Sequence, residues 1–220
     1  MRTILVDWLI DVHAKFALHS ETLFKAIFIL DRYLSLEKVP RKLLQLLGIA
    51  SLFMAAKFEE VYPPRLELFL YVCDRAYSKG QLIEMECDIL RTLEYRLVST
   101  SSLQLLILYA QQLSLTSAQY SLCRYFLDHS LLVQSMAVHR SATVSTSAIA
   151  LALKSLQCSS SAIDNFIRLN GLCPRSVHNT SCEIWQAVKE NRLAGKQCAV
   201  DRKYPQWFNK ISALSSQLSF

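Results

Sequence analysis

LGIASLFMAAKFEEVYPP, residues 47–64, is apolar along most of its length, becomes charged near its end and stops at two prolines. Its small residues let neighbouring helices approach closely, so we predict the central helix of a helical bundle, packed on most sides. Lys57 directly follows the most apolar part of this helix. A buried ammonium group without a partner would lower the stability of the fold by several kcal/mol or lose its proton. Either a carboxylate inside the fold pairs with Lys57, or a group of another protein does.

The composition indicates an all-α protein. The chain has 220 residues, 52% of them hydrophobic, which is enough for one large domain or for two small domains with proper cores. Only four residues are glycine. Because β-sandwiches and nucleotide-binding α/β folds need glycine in their turns, this scarcity argues against both classes.

Apolar residues recur at helical spacing in two successive halves. We predict an N-terminal domain of five helices at 1–97, a C-terminal domain of five helices at 98–200 and a C-terminal tail at 201–220. A single shift of 97 positions aligns six identical residues of the two halves, which favours a duplicated unit: Leu30 with Leu127, Asp31 with Asp128, Leu34 with Leu131, Ala55 with Ala152, Lys57 with Lys154 and Glu86 with Glu183.

The common catalytic patterns are missing from the sequence. It has no glycine-rich phosphate-binding motif and no G-x-S-x-G nucleophile motif, so we expect no enzymatic activity of its own. The five histidines lack metal-ligand spacing and the seven cysteines contain no C-x-x-C pair, so we expect no metal, no cofactor and reduced thiols. No apolar run reaches the ~20 residues of a membrane helix, and we expect no membrane partner.

The formal net charge is +6 and the isoelectric point is near 9.0. The lysines and arginines of the second half come singly or in one adjacent pair, Arg202–Lys203, and never as a block. This spacing favours a solvated surface or an acidic protein partner over a nucleic-acid site.

Three segments of the first half stand in order and at the right spacing to identify a family: MRTILVDWLIDVH (1–13), LDRYL (30–34) and MAAKFEEVYPP (54–64). With them the chain resembles a cyclin, and among cyclins it is most similar to the mitotic A and B types. The resemblance implies two tandem five-helix cyclin-box folds. It also implies a regulatory subunit that binds and allosterically activates a cyclin-dependent Ser/Thr protein kinase in cell-cycle control, in the nucleus and cytoplasm.

The resemblance carries two residues to the centre of a kinase-binding surface. Lys57 and Glu86 match the pair that, in cyclins, hydrogen-bonds the kinase near its regulatory helix. If a partner buries both side chains fully, truncation of either one should weaken binding by ~2 kcal/mol or more. Pairing between the two is the competing interpretation, although a preformed pair can still donate outward. Four further residues match flanking kinase contacts: Phe58, Glu59, Leu90 and Leu97.

A second set of residues matches the groove that binds Arg-x-Leu segments of substrates or inhibitors in the family: Met1, Ile4, Leu5, Trp8, Asp11, Leu44 and Gln45. An apolar stripe on a helix more often packs into the core. The first helix, however, is apolar over most of its circumference, so some of its apolar residues remain to form an exposed groove. Asp11 suits an arginine. Relatives usually have Glu at this position, so we expect weaker or differently selective docking.

Arg2 and Asp31 match another pair of the family, which we interpret as structural because it would join the first helix to the second. Breaking a buried pair of this kind typically costs ~3–5 kcal/mol. Substitution of either residue could therefore imitate a loss of kinase binding by unfolding the chain.

One alternative function stays open on the sequence alone. A cyclin-fold scaffold of the transcription-factor type would bind DNA or proteins without a kinase, and the basic isoelectric point gives it some weight. The intact KFEE-x-YPP string, residues 57–64, favours the kinase regulator. The chain begins at the first residue of the cyclin motif, a start that is compatible with a fragment of a longer protein.

Overall fold

The computed structural model describes residues 1–158, 161–193 and 197–214. These residues form α-helices and two short 3-10 helices, and no strand occurs among them, so the all-α prediction is confirmed. The chain divides into two compact units, Met1–Ser99 and Thr100–Phe220.

The first unit is a five-helix bundle built around one helix. Its elements are α1 (Arg2–Lys15), α2 (Ser20–Leu36), a 3-10 helix (Arg41–Leu43), α3 (Leu44–Glu59), α4 (Leu66–Tyr71) and α5 (Lys79–Thr92). Every residue from Leu46 to Ala56 in α3 is buried, and this helix contacts each of the other four. The predicted central helix is therefore the observed one.

Gly48 explains how α1 approaches α3 so closely. A Cβ atom at this position would lie 2.9 Å from Cδ1 of Leu5, closer than packed carbon atoms normally come. Leu5 consequently fills the space above the glycine and is only 7% exposed.

The second unit repeats this arrangement and extends it. Its elements are α6 (Ser102–Gln112), α7 (Ser117–Ser130), a 3-10 helix (Gln134–Val138), α8 (Ser141–Ser155), α9 (Ser161–Leu169), α10 (Pro174–Leu193), α11 (Ala199–Lys203) and α12 (Pro205–Leu214). The helix α8 contacts α6, α7 and α10, as α3 contacts α1, α2 and α5. The shift of 97 positions therefore relates equivalent helices.

Side-chain caps fix where several of these helices begin. Ser78, Ser101 and Thr116 each accept a hydrogen bond from the backbone N–H three residues later, where a glutamine returns the bond. Such capping boxes satisfy two backbone donors that a helix start leaves open. All three positions were predictable from sequence as helix starts.

The predicted end of the second domain needs correction, because residue 200 falls inside α11. Within 201–220, the described residues include the rest of α11 and all of α12, and Trp207 and Ile211 are buried. The indole N–H of Trp207 donates to Oγ of Ser121 on α7 at 2.8 Å. These helices are part of the second unit, because Trp207 and Ile211 pack into it although the residues around them are mostly polar.

Candidate functional site

The ends of α3 and α5 meet at Lys57 and Glu86. Nζ of Lys57 donates to Oε1 of Glu86, and the ammonium group lies 4.3 Å from the centre of the Phe53 ring. The Lys57 side chain nevertheless remains 39% exposed, whereas that of Glu86 is 15% exposed. An internal carboxylate thus pairs with Lys57, and part of the Lys57 side chain stays accessible to a partner.

Lys25 of α2 organises the neighbouring part of this surface. Its Nζ lies 3.0 Å from Oε1 of Glu59, 3.4 Å from the carbonyl oxygen of Leu97 and 3.8 Å from the centre of the Phe58 ring. Only 10% of the Lys25 side chain is exposed. One buried lysine therefore holds three of the residues that the sequence assigned to a partner-binding surface.

Lys25 is not among the residues that the sequence predicts for this surface. A signal for it exists, because Lys25 is the one charged residue between Thr22 and Leu30, a segment of α2 that is otherwise mostly buried. A lysine in such a segment needs an acceptor. Which acceptor it has depends on the packing of α2 against α3, and no local pattern reports that.

An apolar margin surrounds the Lys57–Glu86 pair. Phe58 is 51% exposed, and Leu90 and Leu97 are half-buried. Further large apolar side chains in the same unit are exposed: Val61, Tyr62, Leu68, Ile83, Tyr95 and Val98. Exposed apolar residues in such number are typical of a protein-binding surface.

Glu59 and Glu60 are adjacent but have different environments. Oε1 of Glu60 accepts hydrogen bonds from the backbone N–H of His19 at 2.7 Å and from the hydroxyl of Thr22 at 2.5 Å. Both donors lie at the start of α2, where backbone N–H groups have no partners within the helix. Glu60 therefore joins the end of α3 to the start of α2, a structural role that the sequence analysis did not assign.

Arg2 and Asp31 form a bidentate ion pair between α1 and α2. Nε and Nη2 of Arg2 donate to the two carboxylate oxygens of Asp31 at 2.6 and 2.7 Å. The side chains are 10% and 15% exposed. Parallel hydrogen bonds in a mostly buried site fix both distance and orientation of the two helices.

The predicted docking groove divides into exposed and buried residues. Met1 and Ile4 are 57% and 67% exposed, Trp8 is half-buried and Asp11 is exposed. Leu5 is buried beside Gly48, so the expectation that it is exposed is wrong. Val6 and Ile10 of the first helix are buried as well, because α1 contacts both α2 and α3.

The opposite wall of the groove lies at the start of α3. Leu44 and Gln45 are both half-buried there, and the hydroxyl of Tyr77 donates to Oε1 of Gln45 at 3.4 Å. Trp8 and Asp11 also line an open cavity of about 450 Å³, together with Tyr71 at the end of α4 and Arg75 after it. A side chain of another molecule could reach Asp11 through this cavity.

Both halves of the chain match models of one protein family. The model described as the N-terminal domain of cyclin matches residues 1–98, and that of the C-terminal domain matches residues 98–217. The chain belongs to the cyclin family. As a cyclin, it presents Lys57, Glu86 and their apolar margin on the N-terminal domain.

Mitotic cyclins are among the curated relatives of this cyclin. It is 42% identical to the G2/mitotic-specific cyclin-B1 of Oryzias javanicus over 156 residues, which are 71% of this chain and 39% of the relative. It is 33% identical to the G2/mitotic-specific cyclin-B1 of Carassius auratus over 222 residues, which cover 99% of this chain and 55% of the relative. The cyclin described here therefore spans only part of the length of these relatives.

Solved structures share its fold. A viral cyclin from herpesvirus saimiri superposes with a TM-score of 0.76 at 20% identity, over 86% of this chain and 84% of the viral one. A chain of the yeast RNA polymerase II CTD kinase CTDK-1 complex superposes with a TM-score of 0.70 at 15% identity, over 86% and 64% of the two chains.

None of the helices in the described ranges has the length and apolar character needed to cross a bilayer.

Proposed function

We propose that this cyclin binds a cyclin-dependent Ser/Thr protein kinase through the end of α3 and the facing part of α5, and thereby activates it. The Lys57–Glu86 pair carries the proposal, because it is preformed, partly exposed and set among exposed apolar side chains. An arrangement of polar groups within an apolar margin is typical of the energetic centre of a protein interface.

The proposed activation is allosteric, since the cyclin residues take no part in phosphoryl transfer. A kinase of this type needs its regulatory helix positioned so that a glutamate of that helix pairs with the ATP-binding lysine. A rigid surface that binds only the active arrangement shifts the kinase population toward it. Lys25 gives the proposed surface this rigidity, because it ties Glu59, Phe58 and Leu97 to α2. ATP and Mg²⁺ would be bound by the kinase.

We further propose that the groove on α1 recruits substrates or inhibitors that carry Arg-x-Leu. Met1, Ile4 and Trp8 offer apolar surface, and Asp11 offers a carboxylate for the arginine. Each aliphatic side chain buried by a peptide would contribute about 1.5–3 kcal/mol.

The proposed compartments are the nucleus and cytoplasm, where the seven cysteines, all unpaired, would stay reduced.

The test of kinase activation compares wild type with the double variant Lys57→Ala/Glu86→Ala. We expect the variant to lose binding to purified cyclin-dependent kinases and to lose stimulation of their activity, while circular dichroism and melting temperature stay near wild type. Lys154→Ala is the matched control, because Lys154 is the exposed lysine at the equivalent position of the second unit. Binding that persists in the double variant would refute the assignment of the two residues.

The salt dependence of binding separates the kinase regulator from a DNA-binding scaffold. Association through apolar burial should change little between low and moderate salt, whereas DNA binding weakens steeply because counterions are released. A DNA complex that forms at physiological salt, with no kinase bound under the same conditions, would favour the scaffold instead.

A further inference from the structure

The second unit contains a buried cluster of metal-ligating side chains that the proposed function does not use. His129 near the end of α7, Cys198 just before α11 and Asp201 within α11 place their ligand atoms within 4.8 Å of one another. His129 and Asp201 are each 1% exposed and Cys198 is 8% exposed. No metal site was expected from the sequence, because metal-ligand patterns are recognised by close spacing along the chain, whereas His129 and Asp201 lie 72 residues apart.

We propose that this cluster binds one Zn²⁺ ion through the imidazole of His129, the thiolate of Cys198 and the carboxylate of Asp201. The ligand set of one nitrogen, one sulfur and one oxygen matches the preferences of zinc, which takes His, Cys and Asp with little geometric restriction from its own electrons. Magnesium and calcium prefer oxygen ligands alone, and a thiolate is foreign to them.

The observed distances are close to those that zinc requires. Zinc–ligand bonds of about 2.0–2.3 Å in a tetrahedron place neighbouring ligand atoms about 3.3–3.8 Å apart. In the structure, Nε2 of His129 lies 3.2 Å from Oδ1 of Asp201, and Sγ of Cys198 lies 3.1 Å from Oδ2 of the same carboxylate. All three ligand atoms lie within 4.8 Å of one another, and the ion would take one of the two carboxylate oxygens after a rotation of the Asp201 side chain.

The ligand set also balances the charge of the ion, which matters because an unbalanced charge is costly in an apolar interior. Zn²⁺ with one carboxylate and one thiolate has no net charge. Binding then releases the thiol proton of Cys198 to solvent, and His129 carries its one ring proton on Nδ1 while Nε2 takes the metal. The hydroxyl of Tyr125, which donates to Oδ1 of Asp201 at 2.9 Å, would orient the carboxylate from outside the metal's own ligands.

The ion would stabilise the C-terminal helices of the unit. α11 has only five residues, too few to hold its shape without tertiary contacts. Asp128, next to His129, already binds Lys203 and Tyr204 of the same segment at 2.7 and 2.9 Å. A zinc ion at His129, Cys198 and Asp201 would add a second connection between α7 and α11.

The experiment measures metal in the full chain, purified from zinc-supplemented and from cobalt-supplemented cultures without metal-affinity tags. We expect one equivalent of zinc by mass spectrometry after extensive dialysis. In the cobalt-loaded protein we expect thiolate-to-cobalt charge-transfer absorption in the near ultraviolet and the strong visible bands of tetrahedral cobalt. Removal of the metal by a strong chelator should lower the melting temperature by several degrees, and added zinc should restore it.

Two variants and a matched control locate the metal. Cys198→Ser keeps a hydrogen-bond donor for Asp201 but removes the thiolate, and His129→Asn removes the imidazole; each should reduce bound zinc to a small fraction of one equivalent. The control is Cys182→Ser, because Cys182 forms an exposed pair with His178 at 3.6 Å on α10 and offers the same ligand types.

Any of three results would overturn the proposal: wild type with far less than one zinc per chain, cobalt protein without the charge-transfer band, or metal lost in Cys182→Ser but retained in Cys198→Ser. The cobalt spectrum needs no variant, so the proposal stays testable if a substitution prevents folding. With sub-stoichiometric zinc, the three side chains would form a hydrogen-bonded network and no metal site.

Discussion

Nζ of Lys25 lies 3.0 Å from Oε1 of Glu59, and the two side chains are 10% and 21% exposed. The pair joins the middle of α2 to the last residue of α3. It stands next to Lys57, yet it differs from the Lys57–Glu86 pair, whose lysine is much more exposed. We therefore expect the two lysines of this surface to respond differently to substitution.

Lys25→Met should destabilise the chain, because methionine replaces the apolar stem but leaves the Glu59 carboxylate without its cation in a mostly buried position. We expect a loss of about 1–3 kcal/mol in the free energy of unfolding, measured by urea denaturation. Kinase affinity should fall with it, since Phe58 and Leu97 lose the same contact. Lys38→Met, at an exposed position after α2, is the control and should change stability by less than about 0.5 kcal/mol. Equal stability of the two variants would contradict the role given to Lys25.

Ile4 and Leu5 are neighbours on α1, one exposed and one buried. Substitution of each in turn therefore distinguishes an effect on docking from an effect on folding. Ile4→Ala should leave the unfolding free energy within about 0.5 kcal/mol of wild type, because the side chain is 67% exposed. It should reduce phosphorylation of a substrate that carries Arg-x-Leu and spare a short peptide substrate. Leu5→Ala should cost about 2–5 kcal/mol, because it opens a cavity above Gly48. Equal loss on both substrates with Ile4→Ala would count against the docking groove.

Arg2→Ala and Asp31→Ala should each destabilise the chain by about 3–5 kcal/mol, since either change leaves a mostly buried charge without its partner. The double variant should lose much less stability than the sum of the two single variants, because the two residues bond each other. Thermal unfolding of the four proteins measures this coupling. Glu94 and Arg96 form the matched control, a pair at 2.8 Å whose side chains are 70% and 79% exposed; there we expect a coupling below about 1 kcal/mol. Additive losses at Arg2 and Asp31 would show that the bidentate pair contributes little.

The cysteines should differ in alkylation of the native protein at pH 8. Burial is the main cause that raises the pKa of Cys73 to about 11 and that of Cys123 to about 12. Because a raised pKa lowers the thiolate fraction, only about one Cys73 side chain in a thousand is ionised at pH 8. Cys173 is exposed and should react first with iodoacetamide, whereas Cys73 and Cys123 should react only after unfolding. Peptide mapping by mass spectrometry gives the order, and early modification of Cys73 would mean that its surroundings open readily.

The helical content, the two repeated units and the family could all be predicted from the sequence. Apolar spacing and capping residues such as Ser78 and Thr116 act within a few positions of the chain, so a local pattern is enough to find them. The pairing of Lys57 with Glu86 was one of two open interpretations, and only the packing of α3 against α5 shows that the pair forms while Lys57 remains accessible.

The sequence by itself determined which residues are helical and where small side chains permit close packing, because these properties depend on neighbours within about one helical turn. It also determined the family, because the three motif segments are read directly from their order and spacing along the chain. Tertiary structure alone decided that Leu5 is core while Ile4 is exposed, that Lys25 bonds Glu59, and that His129 meets Cys198 and Asp201. Each of these contacts joins residues on different helices, and its distance is set by how the whole unit packs.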